Sequence, residues 1–295
     1  AMNVIEASLD SDVKKVVALS TDKAVNPVNL YGGTKLVSDK LFVAANSYVG
    51  AGDLSFSVVR YGNVAGSRGS VIPFFEKLIQ EGKTELPITD YRMTRFWISL
   101  TEGVELVLKA LKEAKGGETF ISKIPSFKIT DLAKAMLPEC DMLEVGIREG
   151  EKLHEVMVTA EDAPTTYEYD KHFIVYPQMI FNDRMKAVPT GKKVSEGFVY
   201  SSGTNDMWLS VEDIKNSLNT GLIMKKIYIT GIAGLLGSNL AYLLKDKYEI
   251  YGCDRNKVLM SGVKASAFDI LCENEIEKEL VEINPDVVIN TVAYV

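Results

Sequence analysis

Cysteine and histidine are scarce in this chain of 295 residues, which contains three cysteines and two histidines. Cys140, Cys253 and Cys272 do not show the close spacing of metal-binding motifs, and three cysteines cannot all pair with one another. We therefore expect reduced and chemically inert thiols, as in most cytoplasmic proteins, and no metal site.

The sequence also lacks an excess of positive charge and any long hydrophobic run. Its 33 basic and 40 acidic residues give a formal net charge of -7, which argues against a nucleic-acid-binding surface as the main function. No apolar run approaches the roughly 20 residues of a membrane span, and residues 1–6 have none of the regions of a signal peptide. We expect a cytoplasmic protein that binds neither nucleic acid nor membranes.

The alternation of strands and helices predicts the fold class. Residues 13–21 form a short apolar, β-branched run that predicts a buried parallel strand, and residues 29–49 predict the helix that follows it. Residues 56–61 predict the next strand. Further helical patterns occur at 74–80, 100–114 and 128–137. We expect an α/β protein with a doubly wound parallel sheet.

The second half of the chain is organised differently. Residues 139–215 are mixed and loop-rich, with strand-like pieces at 142–147 and 172–176, and we expect a smaller substrate-binding subdomain beside a catalytic half at 1–138. Residues 216–223 predict a helix end and a linker, and Met224 resembles a natural start. Residues 224–295 then predict a dinucleotide-binding β-α-β half, with strands at 226–230, 249–253 and 286–291 and helices at 236–244 and 276–283.

A glycine-rich turn joins the first strand and helix of this last segment. Gly231, Gly234 and Gly237 permit a tight turn, close approach to a pyrophosphate and close packing of the helix on the strand. Leu235 and Leu236 stand at the start of the helix, whose amino terminus faces the phosphates. Asp254 ends the next strand, where an acid binds the ribose hydroxyls of NAD, while the adjacent Arg255 suits the 2′-phosphate of NADP. These residues are therefore compatible with either NAD or NADP as the cofactor.

The candidate catalytic residues follow the first predicted strand. Thr21, Asp22 and Lys23 stand at its carboxyl end, where open α/β sheets bind ligands. Tyr31 and Lys35 are four residues apart on the next helix and therefore on one face. Because a nearby ammonium lowers the pKa of a tyrosine, such a pair can exchange a proton with a sugar hydroxyl while hydride moves to nicotinamide.

Six segments together closely resemble the inverting UDP-N-acetylglucosamine 4,6-dehydratases. These are extended short-chain dehydrogenase/reductase enzymes with a Rossmann fold that open the pseudaminic acid pathway, used in flagellin glycosylation, a branch of polysaccharide biosynthesis. The segments are 18–24, 29–35, 58–64, 66–75, 93–98 and 147–155, and the resemblance extends over residues 1–215.

The resemblance implies a role for each residue of the cluster. Tyr31, assisted by Lys35, would deprotonate the C4 hydroxyl as hydride passes to NADP. Lys23 would be the base at C5 and Asp22 the acid that lets the C6 hydroxyl leave as water. Hydride then returns to C6, and reprotonation of C5 from the opposite face gives the inverted 4-keto-6-deoxy sugar.

The resemblance also implies a UDP-sugar partner and a set of substrate-binding residues. Arginines suit the diphosphate because their planar guanidinium makes bidentate contacts. The implied positions are Asn63, Val71, Ile72, Pro73, Phe74, Phe75, Arg95 and Arg148. His154 lies within a matching run and is expected to be structural, whereas His172 carries no signal. We further expect a homo-oligomer.

The last segment resembles a different branch of the superfamily. Residues 225–295 are similar to the cofactor half of the dTDP-4-dehydrorhamnose reductase-like proteins, whereas a dehydratase would carry its own cofactor half before residue 1. Two origins fit this order: a permuted chimera whose tail supplies the missing half, or a read-through of two truncated genes. The alternative functions are accordingly an NAD(P)-dependent nucleotide-4-keto-sugar reductase or epimerase, and an inactive fusion that only binds nucleotide.

Overall fold

The computed structural model describes residues 1–50, 52–67, 70–180, 189–222, 226–245 and 248–292. The chain divides into two compact units, Ala1–Asn216 and Ser217–Val295. The boundary coincides with the predicted change of character near residue 216. Met224 and residue 223 lie outside the described residues.

The first unit alternates helices with short strands. In chain order its elements are α1 (Met2–Leu9), β1 (Lys15–Thr21), α2 (Leu30–Ala45), β2 (Ser55–Tyr61), α3 (Val71–Gln80), β3 (Glu85–Ile88), β4 (Thr94–Phe96), α4 (Leu100–Glu113), β5 (Thr119–Ser122), β6 (Ser126–Lys128), α5 (Ile129–Met136), β7 (Asp141–Glu144), β8 (Val156–Val158), β9 (Thr166–Glu168), β10 (His172–Val175), β11 (Lys192–Lys193) and β12 (Tyr200–Ser201). The long predicted helices and strands lie within a few residues of the observed ones.

Six of these strands form one sheet in the order β1-β2-β5-β10-β9-β11. Strands β1, β2 and β5 are parallel, with Thr21 opposite Tyr61, so the first two strands end side by side. Strands β10, β9 and β11 continue the sheet in antiparallel order. The smaller pairs are β3 with β7, β4 with β6 and β8 with β12.

The segment 139–215 was expected to form a separate subdomain, and this differs from the structure. Strands β9, β10 and β11 belong to the main sheet because β10 pairs with β5, and Phe173 and Ile174 enter cores on the two faces of that sheet. The sheet of this unit is therefore mixed rather than purely parallel.

Strand β2 organises the core because all but its last residue are buried. Phe56 and Val58 pack with Ile5 and Phe42 in one cluster, whereas Val59 packs with α4 in another. Successive side chains of a strand point to opposite faces, so helices cover both sides of the sheet. The carboxyl ends of β1 and β2 therefore form an edge of the sheet at which polar side chains can lie close together.

The second unit is a four-stranded parallel sheet. In chain order its elements are α6 (Val211–Leu222), which spans the boundary between the units, β13 (Lys226–Thr230), α7 (Leu235–Leu244), β14 (Glu249–Asp254), β15 (Val263–Ala267), α8 (Glu273–Ile283) and β16 (Val287–Asn290). The strand order is β15-β14-β13-β16. Most of the predicted linker at 216–223 is therefore helical, and the weakly apolar β15 was missed.

Candidate functional site

The turn after β1 gathers three of the predicted catalytic residues. The Thr21 hydroxyl donates to Asp22 Oδ1 at 2.7 Å, and Lys23 Nζ lies 3.1 Å from the same oxygen. The Asp22 side chain is fully buried, and its Oδ2 has no hydrogen-bond partner among the described residues. The Lys23 side chain is 37% exposed, so it contacts both the buried Asp22 carboxylate and the solvent.

Asn63 joins this cluster from the neighbouring strand. It follows β2, and its Oδ1 accepts a hydrogen bond of 3.0 Å from Lys23 Nζ. The parallel register between β1 and β2 places the two strand ends together, although the residues are far apart in sequence. The Lys23 ammonium thus lies between a carboxylate and an amide oxygen at the carboxyl ends of β1 and β2.

The next helix places Tyr31 and Lys35 on the same side of β1. Asn29 caps α2 by accepting from Gly32 N at 2.8 Å, and a Cβ on Gly32 would lie 2.4 Å from Lys23 O, so only glycine allows this approach. Lys35 Nζ donates to Leu19 O at 3.3 Å, and the Tyr31 side chain is 54% exposed. Within the described residues no hydrogen bond joins the Tyr31 hydroxyl to Lys35.

A buried network behind the cluster fixes these elements to one another. The Ser20 hydroxyl donates to Asp39 Oδ2 at 2.6 Å, which ties β1 to α2. Arg60 of β2 lies 3.7 Å from Asp39 and donates to Met157 O of β8 at 2.7 Å. Burial raises the pKa of Asp39, while Ser20 and Arg60 act against that rise. The network uses charged residues for position rather than for chemistry.

A cleft of about 610 Å³ opens in front of Lys23 and Asn63. Seven of the eight predicted substrate-binding residues line it: Asn63, Val71, Pro73, Phe74, Phe75, Arg95 and Arg148. Ile72 does not line the cleft and is only 5% exposed, because it points from α3 into the interior. The cleft therefore combines an apolar wall with cationic side chains.

Lys152 and Glu155 also line the cleft, and the sequence interpretation missed both. Glu155 lies 3.7 Å from Arg95 Nε and 3.8 Å from Lys152 Nζ, and Lys152 donates to Val25 O at 2.5 Å. Burial, and next the Asp22 charge, raise the pKa of Glu155, whereas burial lowers the pKa of Lys152. The Glu-Lys-Leu-His-Glu run was noticed, but nothing in it indicates burial against Asp22.

The two histidines lie outside the polar cluster. His154 Nδ1 is 2.7 Å from the Thr94 hydroxyl, which also contacts Ser202, so this ring links β4 to the chain after β12. Burial, then Arg95, lowers its pKa. His172 stacks on Tyr169 with ring centroids 4.8 Å apart, and burial lowers its pKa to about 4.

The glycine turn of the second unit has the shape of a phosphate cradle. Gly231 has a φ of 72°, and a Cβ on Gly237 would lie 2.3 Å from Gly231 O, so α7 packs against the turn itself. Ala233 N donates to Asp254 Oδ2 at 3.1 Å, which holds the acid beside the turn. These residues fit a dinucleotide, with the phosphates at the amino terminus of α7 and a ribose at Asp254.

The other predicted cofactor residues of this unit are exposed. Leu235 and Leu236 are 86% and 63% exposed at the start of α7. The Arg255 side chain is 80% exposed and lies 4.0 Å from Asp269. An exposed guanidinium adjacent in sequence to Asp254 is compatible with either dinucleotide, so both NAD and NADP stay open.

Two absences concern the described part of the chain alone. There, no three or more histidine, cysteine, aspartate or glutamate side chains are grouped to hold a metal ion. The helices of those same residues include none with the length and apolar character needed to cross a membrane. Cys140, Cys253 and Cys272 are free thiols.

Each of the two units contains a segment that matches a known protein family. Residues 1–177, more than half of the chain, match the family of polysaccharide biosynthesis proteins. The chain belongs to this family. Residues 227–295 match the NAD dependent epimerase/dehydratase family. The description of that family agrees with the nicotinamide dinucleotide that the glycine turn predicts.

Individual relatives match about three quarters of the chain. It is 54% identical over 225 residues to the UDP-N-acetylglucosamine 4,6-dehydratase (inverting) of Campylobacter jejuni subsp. jejuni serotype O:2, covering 74% of this chain and 67% of that protein. It is 38% identical over 225 residues to the UDP-glucose 4-epimerase of Rickettsia akari, covering 75% and 65%. The resemblance to the inverting dehydratases is confirmed.

A solved structure is also similar to this chain. The X-ray structure of Pen from Bacillus thuringiensis is 35% identical with a TM-score of 0.65, and the match covers 75% of this chain and 66% of that one. The chain thus spans about two thirds of the length of these relatives.

Proposed function

We propose that the chain is a nucleotide-sugar hydro-lyase, an inverting UDP-N-acetylglucosamine 4,6-dehydratase. The observation that carries this proposal is the cluster at the end of β1, where Lys23 contacts both Asp22 and Asn63 at the head of the cleft. An acid and an amine beside one another are what removal of water across C5 and C6 requires. The 54% identity to the Campylobacter dehydratase supports the assignment of substrate.

The residues of the first unit would divide the proton transfers among them. Tyr31 takes the proton of the C4 hydroxyl, and Lys35 stabilises the tyrosinate that does so. Lys23 and Asp22 can share one proton across their 3.1 Å contact, and when that proton lies on Asp22 the Lys23 amine can remove the C5 proton, whose acidity rises once C4 is a ketone. Asp22 then gives its proton to the C6 oxygen, which leaves as water. A nicotinamide dinucleotide, when bound, would supply the exchange of hydride with the sugar.

The cleft suits a nucleoside diphosphate sugar. Arg95 is held in place because its NH1 donates to Thr94 O at 2.7 Å and to Leu153 O at 3.2 Å. Arg148 lies on the exposed loop after β7, and in the described contacts only its main chain is engaged, at 3.4 Å from Glu151. A fixed and a free guanidinium can together bind a diphosphate, while the exposed Phe74 offers an apolar surface to the rest of the ligand and the buried Phe75 supports the wall behind it.

For the second unit we propose dinucleotide binding by the glycine turn and Asp254. The carboxylate beside the turn favours NAD because it would repel a 2′-phosphate, whereas the dehydratase resemblance implies NADP, for which Arg255 is available. A cofactor-binding role for residues 224–295, and with it the permuted or chimeric order, belongs to the same proposal. So do a homo-oligomer, a cytoplasmic location and a place in pseudaminic acid synthesis.

The test is to incubate the intact chain with UDP-N-acetylglucosamine and either NAD or NADP. We expect a sugar nucleotide lighter by one water, and in D₂O one deuterium at C5. Lys23→Met and Asp22→Asn should abolish the loss of water, whereas Lys83→Met, on the exposed turn after α3, should not. No loss of water, together with no change in NAD(P)H fluorescence on mixing, would refute the enzyme assignment.

A second candidate function is NAD(P)-dependent reduction or epimerisation of a nucleotide-4-keto sugar. The match of residues 227–295 and the similarity to the Rickettsia epimerase favour it. It predicts consumption of NAD(P)H with a 4-keto sugar, or a change at C4 alone, without loss of water. An inactive fusion that only binds nucleotide predicts fluorescence changes with no product in either assay.

A further inference from the structure

The loop that carries Arg148 is attached at both ends to buried residues. At its start Val145 N donates to a carbonyl of β3 at 2.8 Å, and just beyond its end Lys152 Nζ donates to Val25 O at 2.5 Å. Between these two points residues 146–151 are exposed or half-buried. The two attachments alone therefore do not determine where Arg148 lies.

Asn29 contacts the middle of this loop. Its Nδ2 donates to Gly150 O at 3.0 Å, and among the described residues this is the one hydrogen bond that joins 146–151 to another segment. Within the loop, Glu151 N donates to Arg148 O at 3.1 Å, so Gly150 is the third residue of a turn that begins at Arg148. Asn29 thus holds the turn that carries Arg148.

Position 150 requires glycine for this contact. Gly150 has a φ of 81°, in the left-handed region that favours glycine. A Cβ on Gly150 would also lie 3.2 Å from Asn29 Cβ. A larger residue would therefore both strain the turn and press it away from Asn29.

The same side chain caps the helix that carries the catalytic pair. Asn29 Oδ1 accepts from Gly32 N at 2.8 Å at the start of α2, which carries Tyr31 and Lys35. An amide serves both partners because its oxygen accepts from an N–H while its nitrogen donates to a carbonyl. Aspartate and serine cap helices equally well, but aspartate has no donor and the serine side chain is shorter. Asn29 therefore joins the helix of Tyr31 to the turn of Arg148.

We propose that Asn29 is a positioning residue for the UDP-sugar and acts through Arg148. By fixing the turn of the loop against the start of α2, it sets where the guanidinium meets the diphosphate, relative to the helix whose Tyr31 acts on the sugar. Asn29, Gly150 and Arg148 all line the cleft, so the link lies beside the space for the ligand. The inference rests on the proposed dehydratase function, which assigns the diphosphate to Arg95 and Arg148.

The test uses Asn29→Ser in the intact chain, because serine keeps the cap and removes the donor to Gly150 O. In calorimetric titrations the variant should bind UDP about three- to tenfold more weakly, as the loss of one hydrogen bond predicts. KM for UDP-N-acetylglucosamine should rise by the same factor, with kcat within about twofold of wild type. Ser47→Ala removes one exposed hydrogen bond, to Ala44 O, at the other end of α2. It should bind UDP as wild type does, and the two variants should have similar midpoints in urea.

A double-mutant cycle tests whether the effect passes through Arg148. Arg148→Met should weaken UDP binding by about tenfold or more, and adding Asn29→Ser to it should change the affinity by less than about twofold. Losses of equal size in both backgrounds would overturn the inference, since Asn29 would then contact the ligand itself. Wild-type affinity for UDP in either single variant would overturn it too.

The titrations also separate this inference from the proposed function. If the wild type binds no UDP, both fail. If it binds UDP but forms no product, the proposed function fails, and the titrations still decide whether Asn29 acts through Arg148. If the wild type is active and Asn29→Ser binds UDP equally well, only the role of Asn29 is refuted.

Discussion

Two adjacent glycines at the start of α2 should respond in opposite ways to alanine. Gly32 and Gly33 lie in the same turn of the helix, but a Cβ on Gly33 would meet nothing within 4 Å, whereas one on Gly32 would lie 2.4 Å from Lys23 O and 2.9 Å from Pro27 Cβ. Comparing the two alanine variants therefore distinguishes the effect of helix propensity from the effect of close packing.

The magnitudes follow from the geometry. Gly33→Ala should stabilise the protein by about 0.5–1 kcal/mol through helix propensity. Gly32→Ala gains the same propensity but must move the Lys23 carbonyl by about 1 Å to reach an ordinary contact, and such overpacking costs about 1–3 kcal/mol. The two variants should thus differ by about 2 kcal/mol in the free energy of unfolding.

The same displacement should affect catalysis. A shift of about 1 Å at Lys23 can reduce the rate by about 100-fold, while Gly33→Ala should leave it within about twofold of wild type. Urea denaturation gives the stability of each variant, and the loss of water from UDP-N-acetylglucosamine gives the rate. Equal stabilities and rates for the two variants would refute the argument that α2 packs against the catalytic turn.

Three further predictions concern other parts of the chain. First, His172 has a folded pKa of about 4 against an unfolded value near 6.5, so the unfolded state binds more protons in this window. The free energy of unfolding, measured in urea titrations, should be full above pH 6.5 and fall by up to about 3 kcal/mol towards pH 4. His172→Phe should flatten this part of the pH profile. An unchanged slope in that variant would contradict a neutral, stacked ring. Second, Arg95→Lys should raise KM for the UDP-sugar by about tenfold with a smaller effect on kcat, because one ammonium cannot donate to Thr94 O and Leu153 O while facing the ligand; an unaltered KM in initial-rate assays would exclude Arg95 from binding. Third, Asp254→Asn should weaken NAD binding by about tenfold and NADP binding less, as measured by fluorescence titration, with Glu277→Gln on the exposed face of α8 as the control. Equal losses for both cofactors would mean that Asp254 serves the turn rather than the ribose.

The sequence was sufficient wherever the signal was local. Strands β1 and β2 were predicted because each is a short apolar run that must be buried, and Tyr31 and Lys35 share a face because helical geometry places them there. The glycine turn and Asp254 were also found from spacing, and the structure holds them together through Ala233 N. These features need only neighbouring residues to be recognised.

Other features depended on partners far away in the chain. The segment around β10 looked like part of a separate subdomain, since nothing local indicates that it pairs with β5. Ile72 was included with the substrate residues as part of a matching run, yet helix rotation turns it towards the interior. Strand β15 has little apolar content and becomes a strand only because β14 offers an edge.

The amino-acid sequence by itself determined the α/β class, the order of the long elements and the candidate site residues at the strand ends and turns. Those properties follow from hydrophobic runs, helical spacing and turn residues, all of which act over a few positions. Only the tertiary structure decided that Lys23 meets Asn63, that the Asp22 side chain is fully buried, and that Glu155 lines the cleft. Burial and contacts of this kind are properties of packing between distant segments, which no local pattern encodes.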